Sequence, residues 1–119
     1  SRTTLILKAF RDEVRASGAG FSVFYVPSRF EANDEAWTFV QRRYEAGRPW
    51  RRGAVQDRLA GVLTSLDIPL IETTSAFPAA EGSVTPGYLS LDGHWNARGN
   101  AIAFEALLPG MRRAFGCAS

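Results

Sequence analysis

Two short apolar segments, far apart in the chain, constrain the fold more than any other feature of the sequence. Residues 21–26 read Phe-Ser-Val-Phe-Tyr-Val, a run rich in β-branched and aromatic residues that stops at Pro27. Residues 69–72 form a shorter segment of the same kind, Pro-Leu-Ile-Glu. Both predicted strands are flanked by helical patterns, which favours an α/β fold with a parallel sheet.

Helices account for most of the remaining chain. The first has apolar residues at spacings of three and four (Leu7, Phe10 and Val14), with Thr3 or Thr4 as its cap. The last begins after Asn96, a residue type that caps helices well. The predicted helices cover residues 5–16, 33 or 34 to 46, 53–66 and 97–108.

The only histidine of the chain lies just before the last predicted helix. His94 follows Asp92 by two residues, in the stretch Asp-Gly-His-Trp-Asn-Ala-Arg-Gly-Asn. Imidazole is the side chain whose ordinary pKa suits proton transfer near pH 7, and a carboxylate can orient it through its second nitrogen. The pair therefore has the residue types of the Asp-His half of a hydrolytic triad, while a surface turn built on Asp-Gly is the alternative interpretation.

The stretch from Tyr88 to Ala103, with this pair at its centre, resembles the last conserved block of the SGNH/GDSL hydrolases. That family of esterases, lipases and acyltransferases has an Asp-x-x-His block, usually followed by Pro-Asn, a glycine three residues later and an apolar helix. Here the spacing is Asp-x-His-Trp, which is similar to the alginate O-acetylation branch and to many GDSL-like bacterial proteins. About ten residues carry the resemblance specifically, whereas the order of helices and strands extends it loosely over nearly the whole chain.

The resemblance implies a three-layer α/β/α fold of flavodoxin-like type, of which residues 1–119 would form the C-terminal portion. The implied activity is that of a serine esterase, acyl hydrolase or O-acyltransferase, acting on an ester or an acylated carbohydrate. His94 would be the general base and Asp92 its orienting carboxylate, and no metal or cofactor is implied. The residues expected to line the substrate cleft are Trp95, Tyr88, Ser28 and Arg29.

The nucleophile of such an enzyme is not recognisable in this chain. The family's serine lies in a Gly-Asp-Ser-like turn after its first strand, and no Gly-Asp-Ser occurs here. Ser28 follows a predicted strand, but Pro27 and Arg29 are unlike the glycine neighbours that a strained nucleophile turn requires. We therefore expect the serine to come from a missing N-terminal segment or from a second chain. The same segment would add strands to a parallel sheet that is too small with two.

Composition limits the other classes of function. With 119 residues and 45% hydrophobic residues, the sequence is that of one ordinary globular domain. The net charge is only +2, and acidic residues flank the arginine-rich stretches around 42–43 and 48–52, so a nucleic-acid partner is not expected. No run approaches the ~20 apolar residues of a membrane span. The lone Cys117 and the lone His94 do not make a usual zinc site.

A second interpretation remains open at this point. Because no nucleophile turn is present, the chain is also consistent with a non-catalytic SGNH-like module that binds carbohydrate or a protein partner. Its Asp92-Gly93-His94 would then be a structural turn. Compartment is not fixed by the sequence, although resemblance to envelope acyl-modifying enzymes leans towards the periplasm or secretion.

Overall fold

The computed structural model describes residues 1–44, 51–77, 87–89 and 93–116. Within these ranges the chain is mixed α/β, mostly helical, with one short two-stranded parallel sheet. In chain order the elements are α1 (Arg2–Ala16), β1 (Val23–Phe24), α2 (Arg29–Ala32), α3 (Asp34–Tyr44), α4 (Ala54–Ser65), β2 (Leu70–Ile71) and α5 (Ala97–Phe115).

The two predicted strands pair with each other, and the pairing is parallel. Val23 lies opposite Leu70 and Phe24 opposite Ile71. The ladder is shorter than the apolar segments that predicted it. Its flanking bonds run from the Val23 N–H to the Pro69 carbonyl at 2.9 Å and from the Tyr25 N–H to the Ile71 carbonyl at 3.2 Å. The α/β class is confirmed at this level, with two paired residues in each strand.

One face of the sheet packs against α1 and α4. Leu63, Leu66 and Ile68 are buried there, and α1 is joined to the end of α4 by a hydrogen bond of 2.6 Å from the Arg11 guanidinium to the Leu66 carbonyl. Burial of apolar side chains is the main stabilising term, worth about 1.5 to 3 kcal/mol for each fully buried one. The partly buried residues packed on this cluster are Leu7, Phe21, Val23, Leu59, Val62 and Leu70.

On the other face of the sheet, α5 packs on β2. Gly110 of α5 packs directly on the Ile71 side chain. A second apolar cluster joins α5 to the end of β1 and consists of Ala32, Phe77, Tyr88 and Ala103, with Trp95 and Ile102 packed against it. Helices therefore lie on both faces of the sheet, as a parallel sheet requires.

The helices differ from the predicted ranges in three places. Helix α1 begins at Arg2 and is capped by Ser1, whose hydroxyl accepts the Thr4 N–H at 3.3 Å, rather than by either threonine. The segment after Pro27 forms the additional short helix α2. Helix α5 does not stop before Pro109 but continues to Phe115. Its packing on β2 outweighs the hydrogen bond that proline removes, since tertiary contacts override local propensity.

The two edges of the sheet differ in chemistry. Val23 and Tyr25 direct their backbone groups towards β2, so the N–H and C=O of Phe24 point to the outer edge of β1, where no described residue bonds them. Along β1 the exposed fractions are 43% for Phe24 and 54% for Val26. The edge of β2 carries exposed Pro69 and Glu72, residue types that discourage strand addition. Of the two edges of the described sheet, the β1 edge is the apolar one, and no described residue pairs with its outer side.

Within the described ranges, no helix is both long enough and apolar enough to cross a lipid bilayer.

Candidate functional site

His94 lies on a hairpin that leads into helix α5. An antiparallel bridge pairs Tyr88 with Trp95, and the Leu89 N–H donates to the His94 carbonyl at 2.7 Å. Gly93, directly before the histidine, has φ +73°, a left-handed conformation that glycine adopts without strain. A backbone hydrogen bond thus holds the His94 carbonyl, and the residue as a whole is exposed.

Asn96 caps helix α5, as predicted, and it also ties the hairpin to that helix. Its side-chain oxygen accepts the Gly99 N–H at 3.0 Å, its amide group donates to the Tyr88 carbonyl at 3.2 Å, and its backbone N–H donates to the Gly87 carbonyl at 3.1 Å. One residue therefore caps α5 and also binds the opposite strand of the hairpin. A side chain presented from such a support is positioned well enough for chemistry.

Three aromatic rings lie beneath the hairpin. Phe77 is fully buried and stacks on Trp95, with ring centroids 5.0 Å apart, and its ring is 5.4 Å from that of Tyr88. The Tyr88 hydroxyl donates to the Pro27 carbonyl at 3.2 Å. Through this bond the hairpin is attached to the chain that leaves the carboxyl end of β1.

The hairpin and the carboxyl end of β1 together form the walls of a solvent-open cavity of about 480 Å³. Ligand sites of parallel α/β sheets lie outside the carboxyl ends of the strands, which is where this cavity is found. Its volume is within the range of small-molecule sites. The described residues that line it are Val26, Pro27, Ser28, Glu31, Gly93, His94, Trp95 and Asn100. We call it the His94 cavity.

Ser28 forms part of the cavity wall, and its hydroxyl is already engaged. It donates to the Glu31 carboxylate at 2.7 Å, and the Ser28 N–H donates to the same oxygen at 2.9 Å. The Tyr25 hydroxyl donates to the other Glu31 oxygen at 2.6 Å. Ser28 thus begins α2 in a capping-box arrangement with Glu31. A hydroxyl held in this way is not presented as a nucleophile.

Burial, together with the hydrogen bond and the negative charge of Glu31, raises the pKa of the Tyr25 hydroxyl above its ordinary value of 10.0. The folded protein therefore keeps this proton at a pH where the unfolded chain loses it. Stability contributed by the group is fully present below about pH 10 and falls as the pH rises further. We expect the urea midpoint to decrease less steeply above about pH 10 in Tyr25→Phe than in the unsubstituted protein.

The control for this experiment is Tyr44→Phe, because Tyr44 is 61% exposed and its ring is not held by a carboxylate in the described part of the chain. Its urea midpoint is expected to follow that of the unsubstituted protein at every pH. Equal slopes for Tyr25→Phe and Tyr44→Phe would contradict the pKa assignment.

The structure brings some of the predicted site residues together and separates others. His94, Trp95 and Ser28 line one cavity. Tyr88 was predicted to line the cleft, but it is only 4% exposed and packs beneath the cavity instead. Arg29 faces an adjacent cavity of about 380 Å³ with Phe30, because the first turn of α2 rotates it away from Ser28. The predicted partner carboxylate, Asp92, lies outside the described residues, as does Cys117.

Two polar side chains that line the cavity, Glu31 and Asn100, were not among the predicted site residues. Asn100 lies in the first turn of α5, six residues after His94, and this short separation could have predicted that it lies near the histidine. Glu31 was readable from the pattern Ser28-x-x-Glu31, which is the signature of a capping box. That Glu31 lines the same cavity as His94 depends on how α2 packs near the hairpin, and no local sequence pattern predicts it.

Arg51 and Arg52 each form an ion pair with an aspartate of the same chain. Arg51 pairs with Asp57 at 2.5 Å, and Arg52 pairs with Asp34. Among the residues that the structure describes, no group of three histidine, cysteine, aspartate or glutamate side chains is arranged to hold a metal ion.

Comparisons of the chain with protein-family models, with curated proteins and with solved structures gave no match.

Proposed function

We propose that this chain supplies the general base of an ester-hydrolysing or acyl-transferring site of SGNH type. The observation that carries the proposal is the placement of His94. Its imidazole is exposed on a hydrogen-bonded hairpin at a cavity beside the carboxyl end of β1. A general base needs access to its substrate and a positioned backbone, and the exposure of His94 and the bonded hairpin support both.

In the proposed reaction, the imidazole accepts the proton of a serine hydroxyl while the serine oxygen attacks the acyl carbon. The bond from that carbon to the alcohol oxygen then breaks, and the imidazolium returns its proton to the departing alcohol. Water completes hydrolysis, whereas a second alcohol completes acyl transfer. Asp92 would orient the ring and stabilise its cation, a role that rests on the sequence spacing. Trp95 would form the cavity wall.

The serine in this proposal comes from outside the described residues. Ser28 is the only described serine that lines the His94 cavity, and its hydroxyl is held by Glu31. The β1 edge supports an additional strand, because the backbone groups of Phe24 point outward and the side chains beside them are apolar. Elsewhere on the surface, Ile6 and Phe10 of α1 are each 60% exposed, which is further apolar area that an additional segment could bury.

A strand added at this edge parallel to β1 would enlarge the sheet and place its own carboxyl end beside the cavity. We propose that it belongs to a preceding segment or to a second chain, that it carries the nucleophile, and that the complete domain is a three-layer flavodoxin-like fold. The substrate would be an ester or an acylated carbohydrate.

One observation favours a second candidate function. Because the described hydroxyl in the His94 cavity is engaged with Glu31, the chain alone has the features of a binding module of SGNH type. In that case the cavity would hold a ligand without turnover, and His94 would contribute a hydrogen bond.

Covalent labelling separates the two functions. We expect the protein purified from its native source to hydrolyse p-nitrophenyl acetate and to be inactivated by a serine-directed fluorophosphonate. Mass spectrometry of the labelled material should place the adduct on a serine outside these 119 residues. Ser28→Ala is the matched control, and it should change neither the turnover nor the labelling.

Absence of turnover and of any adduct in material that contains the whole native protein would favour the binding module. An adduct on Ser28 would contradict the assignment of the nucleophile, although it would leave His94 as the base.

A further inference from the structure

Helix α5 has a second apolar face besides the one that packs inside the molecule. The inner face is buried and includes Gly99, Ala103 and Gly110. The second face is a stripe of apolar residues at alternating spacings of three and four along the helix. It consists of Ala101, Phe104, Leu108, Met111 and Phe115. We call this stripe the α5 seam.

The α5 seam faces away from the sheet. Successive residues of a helix are about 100° apart, so Ala101 and Leu108 lie on the side of α5 opposite to Gly110, which contacts Ile71. Phe104 is 61% exposed, and Met111 and Phe115 are each 40% exposed. A strand added beside β1 would extend the sheet sideways and would leave this outward face uncovered.

The spacing of the α5 seam is that of a helix that packs on another helix. Ala101, Leu108 and Phe115 are a positions of a heptad, and Phe104 and Met111 are its d positions. In a helix that is already packed on a sheet by its other side, an exposed stripe of this kind indicates a surface for a partner. The partner that fits it is a helix with a matching apolar stripe.

The charges beside the α5 seam restrict the choice of partner. The e positions of the heptad are Arg98, Glu105 and Arg112, so charges of alternating sign recur every seven residues on one side of the seam. All three are exposed, and none forms an ion pair with another described residue. Seven residues of helix span about 10 Å, which is too far for these side chains to pair with one another. A partner helix therefore has to present opposite charges at the same spacing.

A second copy of α5 meets this requirement when the two helices run antiparallel. If Leu108 packs opposite Met111 of the other copy, Glu105 lies beside Arg112 of the other copy, and the twofold axis creates the same pair again. A shift by one heptad would instead place Glu105 beside Glu105 and Arg98 beside Arg112. A parallel pair would place these charges against uncharged residues. The charges thus favour one antiparallel register.

We infer that the protein forms a homodimer through the α5 seam, with the two α5 helices antiparallel. This inference goes beyond the proposed function, because it does not depend on the chemistry of His94. From Ala101 to Phe115 the seam is about 21 Å long, so the interface belongs to the small class that gives weak, reversible association. The expected dissociation constant is about 10 to 100 µM.

Sedimentation equilibrium of the 119-residue chain tests the inference. The average mass should rise from that of the monomer towards twice that value between about 1 and about 500 µM protein. Glu105→Arg and Arg112→Glu should each weaken association about tenfold, because each replaces two attractive pairs by two repulsive ones. The double variant carrying both changes should recover the original affinity within about threefold. Glu13→Arg, with the same change of charge on the exposed side of α1, should have no effect.

Phe104→Ser should weaken association at least about tenfold, since it removes an exposed ring from both copies. Its circular dichroism spectrum should match that of the unsubstituted chain. Val26→Lys, at the end of β1, should leave association unchanged. The inference is overturned if the chain stays monomeric over the whole range or if the double variant fails to recover. It is also overturned if Val26→Lys abolishes association and Phe104→Ser does not, because the contact would then lie at the β1 edge.

Discussion

Gly99→Ala is expected to destabilise the protein by about 2 to 4 kcal/mol, although alanine is ordinarily the better residue in a helix. A Cβ atom at this position would overlap the Gly87 carbonyl oxygen and lie 3.0 Å from the Trp95 Cβ and 3.1 Å from the Gly87 carbonyl carbon. The obstruction is backbone, so no side-chain rotation relieves it. The same carbonyl accepts the Asn96 N–H, so relief would require separation of the hairpin from α5.

Gly61→Ala is the matched control. Gly61 lies within α4, and a Cβ added there would have nothing within 4 Å. This substitution should stabilise the protein by about 0.5 to 1 kcal/mol, the ordinary advantage of alanine over glycine in a helix. Urea unfolding followed by circular dichroism measures both changes. Equal urea midpoints for the two variants would contradict the close packing of Gly87 on Gly99 of α5.

His94→Ala is expected to lower ester turnover at least about a thousandfold in the native protein, because it removes the proposed proton acceptor and donor. The effect on stability should be within about 0.5 kcal/mol, since the imidazole is exposed and its backbone is held by bonds that alanine retains. Steady-state turnover of p-nitrophenyl acetate and urea unfolding of the same preparation measure the two quantities separately.

Arg98→Gln provides the comparison for this experiment. Arg98 is exposed in the first turn of α5 and does not line the His94 cavity, so its replacement changes a neighbouring charge without touching the proposed base. Turnover within about tenfold of the unsubstituted protein in His94→Ala would exclude the histidine as the general base. A large loss of stability in His94→Ala would instead assign the residue to the support of the hairpin.

Local patterns in the sequence determined the existence and type of most elements. The β-branched and aromatic run around Val23 predicted a strand, and spacings of three and four predicted α1 and α4, because these patterns follow from strand and helix geometry. Asn96 predicted the start of α5, since its side chain accepts an N–H of the first turn. The prediction of the parallel pairing of β1 with β2 is confirmed as well.

For the candidate site, the sequence identified His94 as the residue with suitable chemistry and Ser28 as a neighbour of a strand end. It did not determine which of the predicted residues share a cavity. Tyr88 is buried where its hydroxyl reaches the Pro27 carbonyl across 61 positions of the chain, and Arg29 faces away because it is the first residue of α2, after the cap Ser28. Both outcomes depend on contacts between distant segments.

What the sequence determined by itself was therefore local: helix starts, strand segments and the one imidazole suited to proton transfer. Tertiary structure alone decided that α5 continues through Pro109, because packing of Gly110 on Ile71 outweighs the lost hydrogen bond. It also decided that Glu31 lies in the His94 cavity and holds the Ser28 hydroxyl. Local patterns record backbone preferences within a few residues, whereas a cavity is formed by side chains that only the packing of separate elements brings together.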